Sequence, residues 1–285
     1  MAEYPVQFAG TTVTILSEEK EVHRFVSFLF ADLHGSSGGE EAARLTFSRQ
    51  NNGQYTLAIN EEPQYTGRLG VQCAAIVFDL VIFNLLKDNS AGVAVHAGAV
   101  AYQERGKDRV ILLPGPSGSG KSNLSAWLTA QGCSYLTDEL VLFPAEKPDQ
   151  VIPFTRPFCI KSQAVAVIKK LIPGNNPPVP LLEDEQGAVV AHRALNPLYT
   201  PISAPPALLL FPTYQSGAPL RKEKISGARA SSLLMACDVN ARNLSDHGFQ
   251  QMVQLARSTP AYRLTYSSFA GIKEALDDLV TGLAR

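Results

Sequence analysis

One segment constrains this chain more than any other: an apolar run, a glycine-rich loop and a helical pattern follow one another between residues 110 and 132. The loop satisfies the pattern G-x-x-x-x-G-K-[ST] and reads Gly115-Pro116-Ser117-Gly118-Ser119-Gly120-Lys121-Ser122. The apolar run at 110–113 is typical of a strand buried on both faces, and Leu124, Trp127 and Leu128 recur at helical spacing after the loop. Because strands that alternate with helices form layered sheets, the segment predicts an α/β fold.

This loop pattern predicts a phosphate-binding site. Its glycines let the backbone curl, so that successive N–H groups point inward and hold phosphate oxygens. Lys121 is expected to reach the β- and γ-phosphates of a nucleotide, and the Ser122 hydroxyl is expected to ligate Mg²⁺. We therefore expect ATP and Mg²⁺ as cofactors. The residues expected to contact the nucleotide are Gly115, Pro116, Ser117, Gly118, Ser119, Gly120, Lys121, Ser122 and Asn123.

A pair of carboxylates, Asp138 and Glu139, follows the next predicted strand. A carboxylate just past a strand beside the loop can hold the Mg²⁺ shell or accept the proton of an attacking hydroxyl. We expect Asp138 to join Ser122 at the metal and one of the two carboxylates to act as the base. His96 is a third candidate, on a strand predicted to form a hairpin with residues 110–113. A lone histidine in an apolar strand is, however, commonly a hydrogen-bonded core residue.

Three segments of the chain form a combined pattern: His96-Ala97-Gly98-Ala99-Val100, the loop up to Ser122, and Leu136-Thr137-Asp138-Glu139-Leu140. Together they resemble the catalytic domain of HPr serine kinase/phosphorylase. They are more similar still to the HPr-kinase-related proteins of bacterial peptide-modification and polysaccharide gene neighbourhoods. The resemblance covers residues 93–145, is looser beyond them, and does not extend to residues 1–90.

The resemblance implies a P-loop kinase core of the HPr kinase and phosphoenolpyruvate carboxykinase type. In such a core Lys121 and Ser122 hold ATP and Mg²⁺, Asp138 belongs to a catalytic acidic pair, and His96 tunes that acid. The catalytic residues expected from the resemblance are therefore Asp138, Glu139, His96 and Lys121, with Ser122 and Asp138 at the metal. The resemblance also allows a homo-oligomer.

The chain departs from that family at two places. Its acidic pair is Asp138-Glu139 rather than two aspartates, which leaves open which carboxylate is the base and which the metal ligand. The family's E-x-R-G-x-G signature, tied to phosphorolysis, has no counterpart, and Arg156 is the nearest basic residue in that region. We therefore expect an ATP-dependent kinase without the reverse reaction. Its acceptor is a hydroxyl, with serine as the first candidate, of a protein, a peptide or a small molecule.

Two other functions fit the same loop. A nucleotide-binding ATPase or regulatory module binds ATP without phosphorylating any acceptor. The chain has no L-S-G-G-Q run and no N-K-x-D run, which argues against an ABC-type ATPase and a Ras-like GTPase. A degenerate kinase retained as a scaffold is the second alternative, and the intact loop argues against it.

Charge and hydropathy argue against nucleic-acid and membrane partners and favour one cellular compartment. The chain carries 25 Lys+Arg against 26 Asp+Glu, so no global field favours nucleic acid or an anionic membrane. The longest apolar run, at 73–86, is interrupted by polar residues and falls short of the ~18–20 residues of a membrane span. The N-terminus lacks a basic region followed by an apolar core, and the 4 cysteines form no C-x-x-C pair. We expect a cytoplasmic protein with reduced thiols.

Hydrophobic periodicity divides the chain in two. Residues 1–90 predict a small N-terminal α+β domain whose strands lie at 11–16, 45–48 and 55–59 and whose helices lie at 18–33 and 71–86. Nothing in it is chemically distinctive, so we expect it to lie outside the chemistry and to influence the choice of substrate. Residues 91–285 predict the P-loop kinase catalytic domain.

Within this second part, one strand is predicted over residues 135–143 and a final helix over residues 272–283. Residues 173–219 are rich in proline, which predicts a non-helical surface segment or, alternatively, a lid over the site.

Overall fold

The structure is a computed structural model and describes residues 2–33, 35, 39–174, 181–199 and 202–283. It confirms the α/β class: strands of three sheets alternate with helices along the chain. Residues 175–180, 200 and 201 of the proline-rich segment lie outside the described residues. Within the described part of the chain, no helix has both the length and the apolarity needed to cross a membrane.

The first sheet is formed by the N-terminal residues. Its strands follow each other in space as in sequence, and they are β1 (Ala2–Phe8), β2 (Thr11–Ser17), β3 (Glu40–Arg49), β4 (Tyr55–Ile59) and β5 (Glu62–Gly67). All neighbours are antiparallel except β2 and β3, which are parallel and connected through helix α1 (Lys20–Leu29). Helix α2 (Val71–Leu86) has the predicted bounds, and it is mostly buried because most of its sides are apolar.

The second sheet positions the loop. Its strands are β6 (Gly92–Glu104), β7 (Lys107–Pro114), β8 (Ser134–Thr137), β9 (Leu140–Pro144), β10 (Ile152–Pro153), β14 (Pro206–Tyr214), β15 (Arg221–Lys224) and β16 (Ala261–Tyr266). The spatial order is β10-β9-β6-β7-β14-β16-β15, with β8 paired to β6. The predicted hairpin of β6 and β7 is confirmed, while β7, β14 and β16 are parallel neighbours.

Helices cover both faces of these parallel strands. The helices of this part are α3 (Lys121–Ala130), α4 (Ser162–Lys169), α5 (Gly227–Met235), α6 (Phe249–Ser258) and α7 (Ile272–Leu283). Because side chains alternate along a strand, Leu112 packs on the side of α5 and α6, while its neighbour Leu113 packs on the side of α3 and α7. This burial on both faces explains the continuous apolar run of β7.

A third, smaller sheet lies beside the second. It consists of β11 (Phe158–Lys161), β13 (Gly187–Val190) and β12 (Leu181–Asp184), all antiparallel. The sequence analysis did not predict this sheet or helix α4, which follows β11 directly. In its described residues, the proline-rich segment contains no α-helix, as predicted, but the prediction of a surface segment is wrong, because it supplies β12, the buried strand β13 and all of β14, which lies between β7 and β16.

The strand predicted over residues 135–143 is wrong as a single element, because the chain bends at Asp138 and Glu139 and continues as β9. Thr137 holds the bend. Its hydroxyl donates to the carbonyl of Phe154 at 2.7 Å and accepts from the backbone N–H of Glu139 at 3.1 Å. Helix α1 is also shorter than predicted and ends at Leu29, after which the carbonyl of Leu33 accepts from the backbone N–H of Gln7 at 3.0 Å.

The hydrophobic core crosses the predicted boundary at residue 90. Buried side chains of the first sheet and of α2 form one cluster with Ala94, Leu140, Leu142, Phe154 and Val189. The rings of Phe8 and Phe154 meet edge to face at 5.4 Å. The division into a small N-terminal domain at 1–90 and a catalytic domain at 91–285 stays a prediction, and the structure shows that the two parts share apolar core.

Candidate functional site

The glycine-rich loop leaves the carboxyl end of β7 and leads into α3, as the sequence predicts. Ser119 donates its backbone N–H to the Pro116 carbonyl at 3.2 Å, so that Ser117 and Gly118 form the exposed tip of a turn. Gly118 and Gly120 have φ of 85° and 98°, which side chains with a Cβ rarely adopt. At Gly120 a Cβ would also lie 3.0 Å from Cζ of Tyr266 and collide with its hydroxyl.

Lys121 is held inside the loop. Its Nζ donates to the carbonyl oxygens of Gly115 at 2.7 Å and Pro116 at 3.0 Å, and only 5% of the residue is exposed. No described carboxylate forms an ion pair with it, within the 4 Å usual for such pairs. Burial lowers the pKa of Lys121, although Glu139 nearby opposes that shift. The ammonium group is therefore held by carbonyl dipoles, with Glu139 and Asp138 nearby but not in ion-pair contact, and it is available to an anion.

The acidic pair lies in the bend between β8 and β9. The Asp138 side chain is 1% exposed, and its Oδ1 accepts from the Tyr135 hydroxyl at 3.2 Å. Oδ2 is buried without a hydrogen-bond partner among the described residues. Burial raises the pKa of Asp138, whereas Arg156 and polar contact with Ser122 act against that rise.

Glu139 has the opposite environment. Its side chain is 33% exposed and pairs with the Arg156 guanidinium. Burial alone would raise the pKa of Glu139, but the charge of Arg156 together with other cationic neighbours outweighs it and lowers the pKa. Two adjacent carboxylates therefore have pKa values shifted in opposite directions, which is an arrangement suited to two different roles.

Arg156 joins the two carboxylates, and the sequence analysis noted it only as the nearest basic residue. It is 6% exposed, lies 3.5 Å from Asp138 Oδ1, and donates to Glu139 and to the Cys159 sulfur. Its guanidinium lies 4.7 Å from the centre of the Phe78 ring. Phe78 belongs to α2, so the first ninety residues contact Arg156 of the site, while the expectation that they lie outside the chemistry stays a prediction.

His96 lies on β6 beside the start of β9. Its Nε2 is 3.6 Å from Glu139 Oε1, and its backbone N–H donates to the Cys237 carbonyl at 2.8 Å. Burial lowers the pKa of His96, and the nearby carboxylate of Glu139 opposes this. The imidazole is therefore neutral near pH 7 and faces the outer carboxylate of the pair.

These groups share a cleft of about 320 Å³. The predicted residues that line it are His96, Ser117, Gly118, Gly120, Lys121, Ser122, Asn123, Asp138 and Glu139. Gly115, Pro116 and Ser119 do not line it; the first two instead give their carbonyls to Lys121.

The lining also includes residues that were not predicted as site residues, namely Arg156, Cys159, Ile160, Lys161, Gln163, Ala164 and Tyr214. Tyr214 is 49% exposed at the end of β14, and its backbone N–H donates to the Ser119 carbonyl at 2.9 Å. An aromatic residue directly after a buried strand was the available signal for it, whereas nothing local marked Lys161.

The side chains expected to bind the metal ion offer oxygen atoms as ligands. No group of three His, Cys, Asp or Glu side chains gathers as a metal cluster in the described ranges. Ser122 and Asp138 supply one hydroxyl and one carboxylate, and Mg²⁺ is commonly bound by one or two carboxylates together with phosphates and waters. The orphaned Oδ2 of Asp138 fits such an ion.

Comparison with solved structures gives a distant likeness. No family model and no curated protein matches the chain. A solved structure of the Hpr(Ser) kinase/phosphatase from Coxiella burnetii is similar over 66% of this chain and 94% of that chain, at 11% sequence identity and a TM-score of 0.32. This is a distant structural relationship, and the chemistry of the cleft has to be argued from its own residues.

Proposed function

We propose that the chain is an ATP-dependent phosphotransferase that moves the γ-phosphoryl group to a hydroxyl of a protein, a peptide or a small molecule. One observation carries the proposal. A buried, unpartnered carboxylate oxygen of Asp138 lies in the same cleft as Lys121 and Ser122 of the phosphate-binding loop. A structural aspartate buried to this degree would be expected to satisfy both oxygens, since an unpaired buried charge is unfavourable.

In this proposal the loop binds the nucleotide. Its backbone N–H groups and Lys121 hold the phosphates, while Ser122 and Asp138 would hold Mg²⁺. The ion, when bound, neutralises charge on the phosphate oxygens. Tyr214, exposed beside Ser119 and Gly120, is placed to contact the part of the nucleotide that extends from the loop.

Glu139 is the proposed base. Its side chain is exposed to the cleft, whereas Asp138 is almost fully buried behind it. The acceptor oxygen bonds to the γ-phosphorus as the bond to the ADP oxygen breaks, and the hydroxyl proton passes to Glu139. The lowered pKa of Glu139 is compatible with this role, because a loose phosphoryl-transfer transition state depends more on position than on basicity.

Arg156 and His96 are the proposed positioning groups of that base. Arg156 fixes the carboxylate of Glu139 from one side, and the neutral His96 lies 3.6 Å from its other oxygen. His96 can therefore accept the proton from Glu139 and release it to water.

To test this, γ-³²P-ATP is incubated with the protein, Mg²⁺ and a cell lysate, and the molecules that carry the ³²P label are then identified. The proposal expects acid-stable phosphoester in an acceptor, and separation by size distinguishes a protein from a peptide or small molecule. Glu139→Gln is expected to lower transfer by about 10²–10⁴-fold while leaving nucleotide binding intact. Label found only as inorganic phosphate would instead favour an ATPase or regulatory module.

A further inference from the structure

A second lysine faces the phosphate-binding loop from the opposite wall of the cleft. Lys161 is the last residue of β11 and directly precedes α4. Its Nζ lies 3.5 Å from the Ser117 hydroxyl, and both residues line the cleft. The two walls therefore approach each other at the tip of the loop.

The charges of the cleft are unequally compensated. Arg156 contacts both Asp138 and Glu139, whereas Lys121 and Lys161 form no ion pair with a described residue. Lys121 and Lys161 therefore line one cleft without an ion pair to either of them among the described residues, and an anion between them would be attracted by both cations.

Lys161 lies in the same cleft as Lys121, the residue expected to reach the β- and γ-phosphates. Lys161 approaches the tip of the loop at Ser117, while Lys121 begins α3, so a phosphate held by Lys121 in this cleft is also open to Lys161. We infer that Lys161 binds the terminal phosphate of the nucleotide from the side opposite the loop. This inference rests on the proposed function and adds to it a second cation from within the same chain.

Such a cation would act electrostatically, through an ion pair and a hydrogen bond to the phosphate, without forming a covalent bond. Charge on the oxygens of the transferred group is stabilised by preorganised cations, and a lysine supplied by α4 and β11 is in place before the nucleotide arrives. Lys161 would therefore distinguish a nucleoside triphosphate from a diphosphate, because only the former carries the phosphate that it contacts.

The test compares the dissociation constants of Mg·ADP and of a non-hydrolysable Mg·ATP analogue by titration calorimetry. The wild-type protein is expected to bind the triphosphate analogue more tightly. Lys161→Ala should reduce this preference by about 10-fold or more, the usual contribution of a hydrogen bond to a charged group, and Lys161→Arg should retain most of it. The control is Lys170→Ala, at the exposed far end of α4, which should behave as wild type.

Thermal unfolding of each variant separates binding from folding, since Lys161 is exposed and its replacement is expected to leave Tm unchanged. The inference is overturned if the wild-type protein binds both nucleotides equally, or if Lys161→Ala keeps the full preference. A wild-type protein that binds neither nucleotide would overturn the proposed function itself.

Discussion

Asp138 and Glu139 are neighbours in sequence with opposite surroundings. Asp138 points into the bend between β8 and β9, where burial raises its pKa and one oxygen stays without a partner. Glu139 points to the cleft mouth, where Arg156 holds its carboxylate. A buried carboxylate that lacks a full set of partners destabilises the folded chain, and such strain is expected where a site awaits a ligand.

Asp138→Asn should therefore stabilise the nucleotide-free protein while impairing transfer and Mg²⁺-dependent binding. We expect Tm at neutral pH to rise by about 1.5–2 °C, the change that ~1 kcal/mol gives in a chain of this size. The folded-state pKa of Asp138 lies above its ordinary value of 3.8, so wild-type stability falls as pH rises through that window. The gain in Tm should thus be smallest at the acid end, where the carboxyl is protonated in both the folded and the unfolded chain, and should grow as the pH rises through the folded-state pKa. Thermal unfolding of both proteins, measured from pH 4 to neutral pH, tests this difference in Tm. A variant less stable than wild type at neutral pH would contradict the account.

At the scale of elements, the loop between β7 and α3 is held by hydrogen bonds from two neighbouring strands. The Tyr266 hydroxyl donates to the Gly120 carbonyl at 2.8 Å, and the backbone of Tyr214 donates to the Ser119 carbonyl at 2.9 Å. Strands β14 and β16 thereby fix the loop from the side of the sheet. The proposed phosphate-binding loop is therefore held by the sheet in the absence of a ligand.

Gly120→Ala should disrupt this cradle. The change combines a φ of 98° with a collision against Tyr266, so it is expected to lower stability by more than the ~1–2 kcal/mol of left-handed backbone alone and to abolish nucleotide binding. The matched control is Gly106→Ala in the β6–β7 turn, where φ is 75° and a Cβ meets nothing within 4 Å. The control should lose stability yet bind nucleotide as wild type. Equal binding by both variants, measured by titration, would show that the loop is not the binding element.

Elements with strong local signals could be predicted from the sequence. The helix α2, the β6–β7 hairpin and the loop leading into α3 follow from periodicity, a turn glycine and a motif. The third sheet could not, because β11 and β13 pair residues as distant as Phe158 and Val190. The bend at Asp138 is held by a hydrogen bond from Thr137 to the Phe154 carbonyl, and the Arg156 guanidinium is packed on the Phe78 ring. Both contacts join residues that are distant in sequence, so no local pattern indicates them. Lys161 could not be predicted either, because its position opposite Ser117 depends on β11 of the third sheet.

On the scale of the whole molecule, residues 1–90 and the loop-bearing part share one interior. Phe8 packs against Phe154, and Arg193 donates to both oxygens of Asp32 at 2.8 and 2.6 Å. Phe78 of α2 reaches the cleft through Arg156. We therefore expect the two parts to unfold together.

Phe8→Ala should lower the free energy of unfolding of the entire chain by about 3–5 kcal/mol, because it leaves a cavity in the shared core. Trp127, the only tryptophan, lies on α3 and reports on the loop-bearing part. Its fluorescence and the far-UV circular dichroism should shift to the same lower midpoint. Phe83→Ala, which removes a ring that is 62% exposed, is the control and should change stability by less than about 0.5 kcal/mol. An unchanged Trp127 transition in Phe8→Ala would mean that the two parts are independent.

The proposed phosphotransferase function and the proposed role of Lys161 both depend on nucleotide phosphates binding in the loop. Titration of a non-hydrolysable Mg·ATP analogue tests that binding most directly. The wild-type protein should bind one analogue per chain. Lys121→Met, which keeps the buried aliphatic stem and removes the charge, should weaken binding by about 10²-fold or more, as expected when one partner of a buried charge pair is lost. Absence of binding by the wild-type protein, or equal binding by Lys121→Met, would contradict the account.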